Sequence, residues 1–163
     1  MGDAFVSCKV TSLGFAIGTP GAFGLMVRTD NTSDSQMVTF YIDSFGSSSY
    51  QVLGRVRGSK GTNDTTVGTA FFFSSLPLYL KISRTAAVFG LFYSTDGKAW
   101  VSAGNATIVG SPSSMLYGVE AHGQIGSLTA TGTASQLRLQ NISFPSFVDS
   151  RVPASTAHNY TVT

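Results

Sequence analysis

The sequence predicts an all-β chain folded as an antiparallel two-sheet sandwich of the jelly-roll kind. Three observations predict it. Short runs alternate apolar and polar residues with period two, and clusters of Gly, Asn, Asp and Ser punctuate them. Charged residues make up 11% of the chain, against roughly 25% in an average soluble domain, and 18 Gly together with many Ser and Thr supply the polarity instead. No segment carries the 3.6-residue periodicity of the long crossover helices that a parallel sheet requires. At 163 residues and 42% hydrophobic content, one core suffices, and the composition excludes a disordered chain.

The elements follow in order. A strand is predicted over 4–12, where Val6, Cys8 and Val10 share one face. Cys8 is the single cysteine, which excludes an internal disulfide and a cysteine zinc site and makes it a buried structural thiol. Strands follow over 22–30, 36–43 and 50–58. In the last, Val52, Gly54 and Val56 oppose Leu53, Arg55 and Arg57. Arg55, Arg57 and Lys60 form the densest basic stretch, in a chain of net charge +2. A nucleic-acid footprint needs a broader patch, so these residues read as a solvated strand.

The run 66–74 contains Phe71-Phe72-Phe73. Consecutive Phe residues imply either a strand covered on both faces or an aromatic patch left exposed. Over 77–84, Leu78, Leu80 and Ile82 face one way and Tyr79, Lys81 and Ser83 the other, so one face is wet. Strands over 87–94 and 99–103 flank Asp96-Gly97, whose glycine supplies the positive φ of a tight hairpin. Strands over 115–122 and 133–144 close a sandwich domain spanning 1–144. The tail, 145–163, contains two prolines and reads as an arm or edge strand, with Tyr160-Thr-Val162 able to pair with a sheet edge.

No apolar run reaches the roughly 18 residues of a membrane span. Met1-Gly2-Asp3 lacks a basic-then-apolar leader. The expectation divides between a module from a larger secreted protein and a protein made without a secretory signal, located outside the cell or on a virion surface.

Catalytic patterns are sparse. Glycoside hydrolysis needs two carboxyl groups flanking the scissile bond, yet Glu120 is the single Glu and the seven Asp stand mostly in turn contexts. Asp30 and Asp34 are four apart, across a loop. Glu120 and His122 share a strand face, either as an acid/base couple or as a satisfied polar pair. His158 lies far along the tail. No nucleophile elbow and no phosphate loop occurs. No cofactor is expected. Calcium is the one option, through Asp30, Asn31 and Asp34 or through Asn63 and Asp64, against ordinary turn bonding by the same residues.

The hairpin Phe89-Gly-Leu-Phe-Tyr-Ser-Thr-Asp-Gly-Lys-Ala-Trp100 resembles the concanavalin A-like lectin/glucanase superfamily. It is similar to small jelly-roll domains with a YS-x-DG-x-x-W hairpin, often appended to secreted polysaccharide-degrading enzymes. The opening 2–13, Gly24-Leu-Met-Val-Arg28, Tyr117-Gly-Val-Glu-Ala-His122 and Leu137-Arg-Leu-Gln-Asn-Ile142 fit in the same order. The resemblance covers about residues 2–144 and implies a sandwich. Such domains usually carry a strand before the Gly-Asp-Phe-like start, and the tail is available to fill that edge. The Glu-x-Asp-x-x-Glu strand of the family's glucanases is missing, so the expected role is non-catalytic carbohydrate binding.

Sugar binding uses aromatic faces against the C–H face of a pyranose, together with polar groups that fix the hydroxyls. The chain has twelve Phe, six Tyr and one Trp. The candidate ligand-binding residues are Arg28, Tyr41, Asp43, Tyr93, Trp100, Tyr117, Glu120 and His122, although for Trp100 and Phe92 the hairpin context favours core packing, over the Asp96-Gly97 turn. The expected partner is a glycan or polysaccharide, with no nucleic acid. The alternative is a virion surface or decoration protein that assembles with itself, a capsid or another scaffold through its apolar patch and terminal arm.

Overall fold

The computed structural model describes residues 4–15, 21–44, 49–123, 130–141 and 160–162. One feature anticipated above, the tail from 145 to 159 with His158, lies outside them. The described chain is all β, with no helix. Its strands are β1 (Ala4–Phe15), β2 (Gly21–Arg28), β3 (Met37–Ser44), β4 (Tyr50–Arg57), β5 (Thr65–Phe73), β6 (Leu78–Thr85), β7 (Val88–Ser94), β8 (Val101–Thr107), β9 (Leu116–Gly123), β10 (Ala130–Asn141) and β11 (Tyr160–Val162).

They form two antiparallel sheets, one of six strands in the order β11-β10-β1-β6-β7-β8 and one of five in the order β5-β4-β3-β2-β9. β1 is an inner strand, paired with β10 on one side and β6 on the other. The pairing on the far side of β10 comes from β11, where Tyr160–Val162 pair with Gly132–Ala134.

Period-two alternation explains how the sheets stack. Val6, Cys8 and Val10, with Leu78, Leu80, Ile82, Phe89 and Leu91, point inward from the six-stranded sheet. Phe23, Leu25 and Val27, with Val38, Phe40, Ile42 and Val52, meet them from the other. Each such side chain, withdrawn fully from water, contributes on the order of 1.5–3 kcal/mol before conformational entropy is counted.

The Phe71–Phe73 run is not an inner strand. β5 is an edge of the five-stranded sheet, and alternation splits the three rings. Phe71 and Phe73 turn inward against Tyr93, with ring centroids 4.8 and 5.1 Å away, while Phe72 is 64% exposed.

Arg84 is a fully buried cation. Its Nε donates to Ala86 O at 2.8 Å, its Nη1 to Ser113 O at 3.3 Å, and its Nη2 to Ser111 Oγ at 3.2 Å and to Pro112 O. These bonds fasten the connection after β8 to the β6–β7 turn.

Candidate functional site

The outer face of the five-stranded sheet gathers polar groups from neighbouring strands. On β3, Val38, Phe40 and Ile42 take the core, so Thr39, Tyr41 and Asp43 face outward. On β9, Val119 and Ala121 pack toward the core, which turns Glu120 and His122 outward. β2 lies between these strands. Gly24 stands opposite both Tyr41 and Glu120, and Ala22 opposite both Asp43 and His122.

Small residues on β2 are a spatial necessity. A Cβ at Gly24 would sit 2.3 Å from Phe40 O and 2.7 Å from Tyr41 Cβ. With only Ala22 and Gly24 at this end of β2, the Tyr41 ring reaches across it to His122. The ring centroids are 5.0 Å apart and the planes lie at 83°, an edge-to-face contact. From β4, Arg55 stands opposite Thr39. Its guanidinium hydrogen-bonds the Tyr41 hydroxyl, and its Nε lies 3.0 Å from Asp64 Oδ2.

The cluster has a floor and a rim. Thr39, Tyr41 and Asp43 are buried, and the Glu120 side chain is 9% exposed. His122, Arg55 and Asp64 expose 42%, 41% and 30% of their side chains. Burial sets the electrostatics. It pushes the Glu120 carboxyl up to about 8, although a hydrogen bond from the Thr39 hydroxyl works the other way. Burial, and then the Arg55 charge, hold the His122 imidazole below its ordinary value. Burial likewise raises the Tyr41 phenol.

The Glu120 Oε2 to His122 Nδ1 separation of 3.9 Å therefore joins two largely neutral groups at pH 7, and it is longer than a hydrogen bond. Glu120 Oε1 is buried without a hydrogen-bond partner among the described residues. A protonated carboxyl at that depth is able to donate to a ligand oxygen as well as accept.

The eight residues singled out from sequence do not all meet. Tyr41, Asp43, Glu120 and His122 come together. Arg28 shares the face at the far end of β2, where its guanidinium holds the following turn through Ser35 Oγ, at 2.9 Å, and Thr32 O. Tyr93 and Tyr117 are half-buried against the core between the sheets. Trp100 lies on the outer face of the six-stranded sheet. There the Lys81 ammonium is 4.3 Å from the Trp100 ring and 4.8 Å from that of Phe92. Neither Trp100 nor Phe92 joins the core, because Phe89 and Leu91 already take the inward positions of β7.

Thr39, Arg55 and Asp64 belong to the cluster and were not among the eight: Arg55 read as part of a solvated strand and Asp64 as a turn residue or calcium option. Arg55 carried one usable signal, its outward parity on a predicted strand.

The acidic turns are occupied by protein groups. Asp30 accepts hydrogen bonds from the Thr32 backbone and hydroxyl. Lys60 Nζ lies 3.6 Å from Asp30 Oδ2 and 3.7 Å from Asp34 Oδ1. Among the described residues, no three His, Cys, Asp or Glu side chains converge as a metal site. None of the described segments is a helix long and apolar enough to cross a membrane.

No family model matches the sequence, and no curated protein matches it significantly. Solved structures share the architecture. A functionally unknown protein from Saccharomyces cerevisiae aligns with a TM-score of 0.57 at 18% identity, covering 86% of this chain and 71% of that one. The CBM2 module of the evolved Dit of Lactobacillus casei BL23 phage J-1 aligns at 0.49 and 10% identity, covering 78% and 57%. A variant of human galectin-16 aligns at 0.43 and 14% identity, covering 78% and 86%. The yeast likeness establishes a shared β-sandwich fold.

Proposed function

We propose that this protein is a non-catalytic, lectin-like carbohydrate-binding module, and that it engages its glycan on the outer face of the five-stranded sheet. One observation carries the reading: the Tyr41–His122 edge-to-face pair stands over a neutral, partly unsatisfied Glu120, with Arg55 and Asp64 at the rim. A pyranose presents hydroxyls that both donate and accept, alternating with C–H faces. Arg55 and Asp64 offer planar groups to neighbouring hydroxyls, the exposed part of the His122 ring offers a surface for C–H contact, and Glu120 offers a donor below. The hairpin resemblance to concanavalin A-like domains agrees with this role, and such a module acts outside the cell or at a surface.

The test is retention on a panel of immobilised polysaccharides or a glycan array. Wild-type protein is expected to bind a subset of neutral glycans, and His122→Ala and Arg55→Gln each to weaken that binding by tenfold or more. Loss of neither, or no binding by folded wild type, would overturn the reading. No reducing sugar is expected to be released from a bound β-glucan. Release that Glu120→Gln abolishes would make the protein a hydrolase instead.

A second reading, attachment to a protein assembly as a virion surface component, draws on the exposure of Phe72 along the edge strand β5. A particle-associated mass that Phe72→Ser reduces, together with an empty glycan array, would favour it.

A further inference from the structure

The opposite face of the molecule carries a pocket that the proposed glycan face does not explain. Its volume is about 200 Å³, and Tyr79, Asp96, Lys98, Trp100, Gln136 and Arg138 line it. That is below the roughly 300–1,000 Å³ of drug-sized sites and suits one small unit.

The backbone beneath the pocket is irregular. Between the pairs Ser7–Arg138 and Lys9–Ser135, β1 advances two residues while β10 advances three. The extra residue makes a bulge, and Gln136 there has φ +54. A non-glycine residue at positive φ is uncommon, and bulges re-aim side chains beside functional sites. Here the bulged segment supplies Gln136 and Arg138 to the pocket.

Cations outnumber anions around the pocket. Lys98 and Arg138 line it, Lys81 stands over Trp100, and Lys9 Nζ is 5.6 Å from the Tyr79 ring. The one carboxylate on the lining, Asp96, is engaged by its own turn. Its Oδ1 accepts from the backbone N–H of Lys98 at 2.8 Å and of Ala99 at 2.9 Å, and from the Ser94 hydroxyl at 2.9 Å. Cys8 borders the pocket, yet the thiol is buried and is pushed up to about 12, so it brings no reactivity.

We propose that this pocket is a second ligand site, one that takes a single anionic pyranose, a uronate or a sugar sulfate. The aromatic walls receive the ring, Gln136 has both a donor and an acceptor for hydroxyls, and the cations receive the acidic group. Specificity for an acidic unit comes from Lys98 and Arg138, because the aromatic walls alone would accept neutral and acidic rings alike.

Trp100 is the single tryptophan, so its fluorescence reports on this pocket alone. The experiment titrates the protein with sodium D-glucuronate, D-glucose 6-sulfate and D-glucose. At least one anionic sugar is expected to change the Trp100 emission saturably, with an affinity at least tenfold above that of glucose and declining with added NaCl. The two anionic arms distinguish carboxylate from sulfate as the recognised group. Arg138→Gln is expected to weaken that binding at least fivefold, and Lys98→Gln serves the same test should the first variant fail to fold. His122→Ala, on the opposite sheet, is expected to leave it unchanged, which separates this site from the neutral-glycan face. No saturable response to either anionic sugar, an equal response to glucose, or undiminished affinity in a folded Arg138 or Lys98 variant would overturn the proposal.

Discussion

The outer faces of the two sheets make opposite use of the same backbone. On the five-stranded sheet the short residues Ala22 and Gly24 let Tyr41 lie flat across β2, and the groups beneath it lose water. Glu120 and His122 respond by favouring their neutral forms. On the six-stranded sheet the outward side chains of Lys9, Tyr79, Lys81 and Trp100 stay partly exposed. There Asp96 is held below the usual carboxylate range by backbone N–H groups, those of Lys98 first, and Lys81 sits among aromatic rings. One face sinks neutral hydrogen-bonding groups between the charged rim residues Arg55 and Asp64, and the other offers cations beside aromatic rings. Depth of burial, more than residue type, divides them.

The largest effect expected to test this contrast is the pH dependence set by Glu120. Its native carboxyl keeps a proton that the unfolded chain sheds above about 4.5, up to a native value of about 8. Folding therefore takes up a proton in that window, and stability falls as pH rises through it. His122, depressed by burial, acts in the other direction, adding stability as pH climbs toward 6.5. Denaturant melts at pH 5 and pH 9 are expected to show Glu120→Gln removing a loss on the order of a few kcal/mol. Identical pH profiles for variant and wild type would show that Glu120 ionises freely, and the two faces would then be alike.

Trp100→Ala comes next. Because Trp100 is half-exposed and contacts Lys81 outside the core, its loss is expected to cost about 1–2 kcal/mol, short of the roughly 3–5 kcal/mol of a core aromatic. A larger loss by thermal melting would place Trp100 in the structural core after all. Asp96→Ala is expected to lower the melting temperature at neutral pH through the turn bonds it removes. The gap to wild type should close as acid carries Asp96 through its depressed native value, since its contribution exists only above it. A pH-independent gap would refute that account. The smallest effect is Arg55→Gln. This half-exposed ion pair with Asp64 should contribute about 0–1 kcal/mol to stability, while glycan retention drops far more.

Much of the fold was legible because a strand with one wet face writes period two into its sequence. Each predicted strand from 4–12 to 133–144 overlaps an observed one, residues 142–144 lying outside the described residues, and Leu78, Leu80 and Ile82 are buried as their alternation required. Strand order was not legible, because hydrogen-bonded neighbours leave no local mark. Nothing in the segment 36–43 shows that Tyr41 stands two strands away from His122. Nor does the segment 50–58 place Arg55 beside Tyr41. Glu120 and His122 were recoverable since they share one strand and one parity. The Phe71–Phe73 run was ambiguous because period two divides three consecutive rings between two faces, and only the packing of β5 against Tyr93 decides which face is the core.

Cys8 gives the molecule an internal clock. Its thiol sits 1% exposed on β1, beside the bulge that forms the floor of the charged pocket. A reagent such as a disulfide exchanger reaches it only when the structure around β1 opens, so labelling proceeds at the rate or population of that opening. A ligand that bridges Gln136 and Arg138 on β10 to Tyr79 and Trp100 would oppose openings that separate those strands and slow the reaction. A single sulfur thus converts occupancy on the outside of a sheet into a chemical rate measured on its inside.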